Sequence, residues 1–172
     1  SASVCNSSCV SSVNSRAHLY KVNQISFIKK QLNSITDSYE IKEKLGEGSY
    51  GKVCRCINKI SGFERAVKFI KKKDMDDPKD IQRFQGEVNV LEQMDHQNIV
   101  KLYEVYEDDV NFYLIMDLLK GGELFDEIVK RSKYSEQDAV QIMHSLLSAV
   151  NYLHRKGYVH RDLKPENVCL DS

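Results

Sequence analysis

A chain of 172 residues, 41% apolar and 29% charged, has the size and composition of one globular domain, or one and part of another. Its 25 basic and 25 acidic residues cancel, so no large basic field is present and a nucleic-acid partner is not expected. No apolar run approaches the roughly 20 residues that a membrane helix needs, and no charged start with an apolar core marks a secretory signal.

Residues 1–15 are Ser-rich and without periodicity, which predicts a disordered tail. Ser1 stands where Met would begin a nascent chain, so the natural N-terminus is expected upstream or processed. Cys5 and Cys9 lie in this tail without an N-terminal Gly beside them, so membrane association is expected only if the tail is acylated. The cysteines at 5, 9, 54, 56 and 169 are odd in number and form no CxxC pair. Neither a disulfide framework nor a zinc site is expected, and a reducing, cytoplasmic setting is. Between Lys21 and Ile35, Ile25, Phe27, Ile28, Leu32 and Ile35 recur among lysines, which predicts a short amphipathic helix.

Folded structure is expected from Tyr39. IKEKL alternates, GEGSYG interrupts, and KVCRCI alternates again; ERAVKFI makes a third strand after the turn NKISG. IVKLYEVYED and NFYLIMD read as a fourth and a fifth strand. A helix begins after Asp76-Asp77-Pro78 and turns Ile81, Phe84, Val88, Leu91 and Met94 to one side. Glu87 falls within that arc, and a carboxylate on a buried face needs a cation. Beyond Gly121-Gly122 the pattern is helical: ELFDEIVKR carries acids first and bases last. A longer helix starts at Ser135, with Asp138 completing a capping-box pattern, and turns Ile142, Met143, Leu146, Ala149, Val150 and Leu153 inward. It ends at Arg155-Lys156-Gly157.

Gly46, Gly48 and Gly51 form GxGxxG. A dinucleotide-binding loop opens a helix, whereas these glycines lead into the strand-like run Lys52–Ile57; a nicotinamide-dependent enzyme is excluded on that ground. A glycine hairpin can instead lie over phosphates and offer backbone N–H groups. In RAVKF, period-2 geometry puts Ala66 and Lys68 on one strand face, where Ala66 admits a flat ring and Lys68 supplies the cation that Glu87 lacks.

LGEGSYGKV, RAVK, Glu87 and HRDLKPEN, in this order, resemble a eukaryotic protein kinase from about Tyr39 to the last residue. DLKPEN is similar to the serine/threonine class. GGELFDEI, MDHQNIVKL and YLHRKGYVHRDLKPEN resemble the calcium/calmodulin-dependent group, most of all calcium-dependent protein kinases that carry EF-hands. The resemblance implies an α+β fold: an N-lobe with an antiparallel five-stranded sheet and one helix, then the start of a helical C-lobe. Residues 1–38 would be an extension, 39–117 the N-lobe and hinge, and 118–172 the first part of the C-lobe.

The resemblance also implies ATP and Mg²⁺ as cofactors and protein Ser/Thr hydroxyls as acceptors. Gly46, Gly48 and Gly51 would cover the phosphates, with Leu45, Val53 and Ala66 against the adenine. Lys68 would hold the α- and β-phosphates, fixed by Glu87. Met116 would stand at the gatekeeper position, with Asp117 and Leu119 at the hinge. Asp162 would orient the acceptor hydroxyl and take its proton, Lys164 would offset charge on the transferred group, and Asn167 would hold one Mg²⁺. His160 would be a packed structural residue and Arg161 a support for the activation segment. Glu123 and Glu166 would either recognise an arginine preceding the target residue or serve as ribose contacts and helix-end charges. Cys169 would form the floor of the adenine pocket, where a larger aliphatic is usual.

The kinase D-F-G motif would follow Asn167 by about a dozen residues, whereas the chain ends five residues after it. The 172 residues alone are therefore expected to be inactive, and Ca²⁺ control through EF-hands rests on segments outside them. The alternative is a non-catalytic kinase-like chain that acts by binding.

Overall fold

The computed structural model describes residues 2–4, 11–12, 34–48, 51–75, 77–131 and 134–171. Two short strands come first, β1 (Ala2–Val4) and β2 (Ser11–Ser12). A single helical turn, α1 (Ile35–Ser38), is capped by Ser34, whose hydroxyl accepts from the Thr36 amide. Strands β3 (Tyr39–Gly48), β4 (Gly51–Asn58) and β5 (Glu64–Lys71) precede helix α2 (Pro78–Glu92). After it come β6 (Leu102–Glu107), β7 (Asn111–Met116), α3 (Leu124–Arg131) and α4 (Glu136–Arg155). The strands β8 (Tyr158–Val159) and β9 (Val168–Leu170) close the order, with a 3₁₀ turn at Pro165–Asn167 between them. The chain gathers into two units, one of Val22–Gln93 with Lys101–Leu118, the other of Ser1–Lys21, Met94–Val100 and Leu119–Ser172.

The first unit is built on a five-stranded antiparallel sheet in the order β3-β4-β5-β7-β6. Local chemistry shapes its turns. Asn58 Oδ1 accepts from the amides of Ile60 and Ser61, and Asp108 Oδ1 from those of Val110 and Asn111, so each side chain substitutes for a backbone acceptor. Val67 lies opposite Cys54 on one side and Ile115 on the other. These residues join Ile35, Tyr39, Cys56, Tyr106 and Tyr113 in one buried cluster. The pleat sends the alternate residues to the other face: Lys68 lies opposite Val53 and Leu114, and Ala66 opposite Met116. Phe112 shares that face and meets Phe84 of α2 with ring centroids 4.7 Å apart.

Helix α2 starts where the sequence predicts, with Asp77 accepting from the Lys79 amide and Pro78 in the first turn. Phe84 and Val88 are buried as expected, but Ile81 in the first turn is exposed while Val90 is buried. The packed arc is therefore wider toward the C-terminal end than the periodicity indicates.

In the second unit, Ser135 caps α4 by accepting from the Asp138 amide and donating its hydroxyl to Asp138 Oδ2. Ala149 and Leu153 are buried, and Leu124 and Val168 form a cluster covered by Tyr134, Ile142, Leu146 and Leu170. Met143, expected inward, is exposed. It lies about 100° round the helix from Ile142, on the side of Val140 and Leu147, which are exposed with it.

The N-terminal tail departs from its expectation at five residues. β1 pairs antiparallel with β9, Ala2 opposite Leu170 and Val4 opposite Val168, and β2 pairs with β8. A ladder needs only main-chain N–H and C=O groups, which the short strands β8 and β9 offer at their edges, so a Ser-rich composition is no bar. The amphipathic helix expected at Lys21–Ile35 and the cysteines at 5 and 9 lie outside the described residues, apart from Ser34 and Ile35.

Candidate functional site

In the first unit the glycine-rich segment forms the β3–β4 hairpin, with Gly46 opposite Val53 and Gly48 opposite Gly51. Gly51 has φ 112°, and a Cβ there would stand 1.9 Å from the Phe69 carbonyl oxygen, so no side chain fits. Around Gly46, by contrast, nothing lies within 4 Å of a Cβ position. Fold therefore requires glycine at 51, whereas the open surface at 46 leaves the backbone accessible to a phosphate. Leu45 beside it is half-exposed for a large apolar side chain.

Val53, Ala66, Lys68 and Met116 share one face of the sheet, as cross-strand register and pleat dictate. Ala66 and Met116 are buried, and Lys68 is half-buried and has an interaction partner. Glu87, half-buried on α2, is likewise engaged. An apolar floor with a lysine further along is a donor set that fits a purine nucleotide. The Asp117 carboxylate is committed elsewhere: Oδ1 accepts from the Tyr103 hydroxyl at 2.7 Å and Oδ2 from the Lys101 amide at 2.9 Å. The Asp117 amide also donates to the Lys101 carbonyl, at 3.1 Å, so the main-chain carbonyl is what position 117 offers a ligand.

In the second unit the loop between β8 and β9 brings the three expected catalytic residues together. Asn167 is buried and its Nδ2 donates to Asp162 Oδ2 at 2.9 Å and to the Asp162 carbonyl at 2.8 Å. With the amide nitrogen so used, the Asn167 carbonyl oxygen is the atom left to face a hard cation such as Mg²⁺. Lys164 Nζ stands 3.3 Å from Asp162 Oδ2. Arg161 has φ 64°, a left-handed conformation that costs a non-glycine residue of order 1–3 kcal/mol. That strain turns the chain so that Asp162 follows a buried His160 and still closes onto Asn167.

His160 Nδ1 accepts from the Asp162 amide at 3.3 Å, so Nε2 carries the proton of the neutral ring. Burial lowers its pKa from the usual 6.5, against a smaller opposing pull from the Asp162 charge. Below the unfolded value of 6.5 the unfolded chain therefore binds more protons than the folded one. Stability is full above that pH and falls as pH drops through the folded pKa. A His160→Gln variant is expected to lose less of its unfolding midpoint than the parent between about pH 7.5 and pH 5.5, read by thermal melts. Equal slopes would show that His160 does not titrate on unfolding.

Glu123 pairs across an antiparallel bridge with Cys169, so two of the expected ligand-site residues are neighbours. Sequence reasoning missed what joins them. Gly121 N–H donates to the Leu170 carbonyl and Leu170 N–H to the Gly122 carbonyl, at 2.9 and 2.8 Å. A Cβ on Gly121 would stand 2.5 Å from that same Leu170 oxygen. Gly121→Ala is expected to cost about 1–3 kcal/mol through this backbone clash, measured by denaturant unfolding; a neutral change would refute the close approach. Leu119 is half-buried and Glu166 is exposed in the 3₁₀ turn.

The chain thus carries, each in its own unit, a strand face with an apolar floor and a lysine, and a loop of clustered Asp, Lys and Asn. A family profile for the protein kinase domain matches residues 39–172, and the chain belongs to the protein kinase family. It is 49% identical over 137 residues to calcium-dependent protein kinase 5 of Plasmodium falciparum (isolate 3D7), covering 79% of this chain and 24% of that protein. It is 41% identical over 153 residues to calcium-dependent protein kinase 3 of Plasmodium yoelii yoelii, covering 88% and 28%. With the calcium/calmodulin-dependent protein kinase type II alpha chain of Drosophila melanogaster it shares 44% over 137 residues, covering 80% and 26%. The chain thus spans about a quarter of the length of these relatives.

Proposed function

We propose that the chain carries the nucleotide-binding half and the catalytic loop of a calcium-regulated serine/threonine protein kinase. The observation that carries this reading is the Asp162–Lys164–Asn167 cluster: a carboxylate, a cation and a buried amide within one hydrogen-bonded loop. Bound ATP–Mg²⁺ supplies the transferable phosphoryl group. Asp162 orients the acceptor hydroxyl and takes its proton, Lys164 offsets charge on the moving group, and Asn167 holds a cation. Positioning and charge compensation, more than covalent chemistry, carry such a reaction. Glu123 and Glu166, both exposed, suit acceptor segments in which arginine precedes the Ser or Thr. The similarity to calcium-dependent and calcium/calmodulin-dependent kinases supports calcium control. Among the described residues Cys54, Cys56 and Cys169 are free thiols, and burial pushes the Cys56 thiol up to about 11.

The tripeptide D-F-G does not occur in the 172 residues, so the second metal ligand of the kinase reaction is not among them. The second reading is accordingly that these residues alone bind nucleotide or partners without turnover. One experiment separates the two: radiolabelled phosphate transfer to a basic Ser-containing peptide, run on the 172-residue chain and on the protein purified from its source, with Ca²⁺ or chelator. Calcium-dependent transfer by the native protein supports the kinase reading. Failure of the native protein under every condition would leave binding as the function, and turnover by the 172 residues would overturn their expected inactivity.

A further inference from the structure

The geometry points to a second anion site, independent of the nucleotide and catalytic residues: we propose that a cleft in the second unit binds a phosphate monoester. The cleft, about 460 Å³, is lined by His96, Ser148, Asn151, Tyr152, Arg155 and Lys156. No carboxylate lines it.

What marks it is the direction of the hydrogen bonds. His96 Nδ1 accepts from the Asn98 amide at 3.1 Å, so the ring proton sits on Nε2. Nε2 then donates to Ser148 Oγ at 3.2 Å, which leaves the Ser148 hydroxyl hydrogen to be given to something else. Tyr152 repeats the pattern: its hydroxyl oxygen accepts from the Asp95 amide at 3.1 Å, and its own hydrogen remains to be donated. The His96 and Tyr152 rings hold each other in place with centroids 5.0 Å apart. Asn151 adds an amide, and Arg155 and Lys156 add exposed cations with no carboxylate partner among the described residues. Ser148, Tyr152, Asn151, Arg155 and Lys156 thus present hydrogens toward one cleft whose lining carries two formal positive charges. A dianion with three terminal oxygens satisfies such a set; a neutral or cationic ligand does not.

The two cations stand at the C-terminal end of α4, Arg155 in its last turn and Lys156 at the C-cap, where a base also offsets the helix dipole. Yet the terminal carbonyls there are already taken, Tyr152 and Leu153 by the Lys156 amide and His154 by the Gly157 amide. The Lys156 ammonium lies 5.7 Å from the ring centroid of Tyr152, which itself lines the cleft.

The test is a titration of the 172-residue chain with inorganic phosphate and, separately, with O-phosphoserine, at constant ionic strength set by chloride, followed by amide NMR shifts and calorimetry. Saturable binding is expected, with shifts confined to residues near His96 and the end of α4. The double substitution Arg155→Gln with Lys156→Gln should weaken it by about tenfold or more, since it removes both formal charges of the lining. Ser148→Ala should weaken it less and serves where the double variant loses its melting transition. Tighter binding of O-phosphoserine than of inorganic phosphate would identify a phosphorylated side chain as the source, and the reverse a free ion. Non-saturable shifts, shifts elsewhere, or affinity unchanged in both variants would overturn the site. None of these outcomes depends on phosphotransfer, so failure here and failure of the kinase reading are distinguishable.

Discussion

Asp162→Asn is expected to lower phosphotransfer by the native protein by about 10²–10⁴-fold, the range for loss of a positioned acid–base group, while nucleotide affinity stays within about twofold. The prediction follows from the local geometry. An asparagine at 162 retains an oxygen to accept from Asn167 Nδ2, as Asp162 Oδ2 does now at 2.9 Å, and the main-chain carbonyl still accepts the second bond. The loop should therefore keep its shape and lose only the atom that takes the hydroxyl proton, together with the charge facing Lys164. The measurement is steady-state kinetics beside nucleotide binding by fluorescence. A variant with near-normal kcat would remove Asp162 from the chemistry; one with lost nucleotide binding would make its role structural.

The second large effect is on stability. Ile115 is fully buried in β7, which has β5 on one side and β6 on the other. Its side chain faces the cluster that contains Val67, Cys56 and Tyr106, each with at most 2% of its surface exposed. Ile115→Ala should cost about 2–5 kcal/mol, from lost transfer energy plus a cavity that strands paired on both sides cannot close. For a chain of this size that is a fall of about 5–20 °C in Tm. Calorimetry on the purified variant gives the answer, and a loss below about 1 kcal/mol would mean that the cluster repacks.

Much of this was legible from local chemistry. Five strand-like runs, the α2 start at Asp77-Pro78 and the α4 start at Ser135 appear where alternation and capping residues predict them, because those signals act over a few residues. The pleat alone places Ala66 and Lys68 on one face. The compact DLKPEN stretch contains Asp162, Lys164 and Asn167 within six positions, so their clustering needs only a tight loop.

Other features depend on partners far along the chain. Register across β4, β5 and β7 decided that Val53 and Met116 join the Ala66–Lys68 face. Burial at Val90 and exposure at Ile81 and Met143 were set by what each helix packs against, which an idealised 100° wheel does not contain. The left-handed Arg161 and the contact of Gly121 with Leu170 come from loop closure between distant segments. The clearest case is residues 94–100. In sequence they close one helix, open a strand-like run and carry part of the family resemblance, yet Asp95 and His96 bond to Tyr152 and Ser148, more than fifty positions later. The sequence by itself therefore determined the strands, the helix caps and the closeness of Asp162, Lys164 and Asn167, because each is governed by neighbours within one turn, pleat or tight loop. Only the tertiary structure decided the shared nucleotide face and the donor-lined cleft, because both require side chains from separate elements to converge, and no local periodicity encodes that.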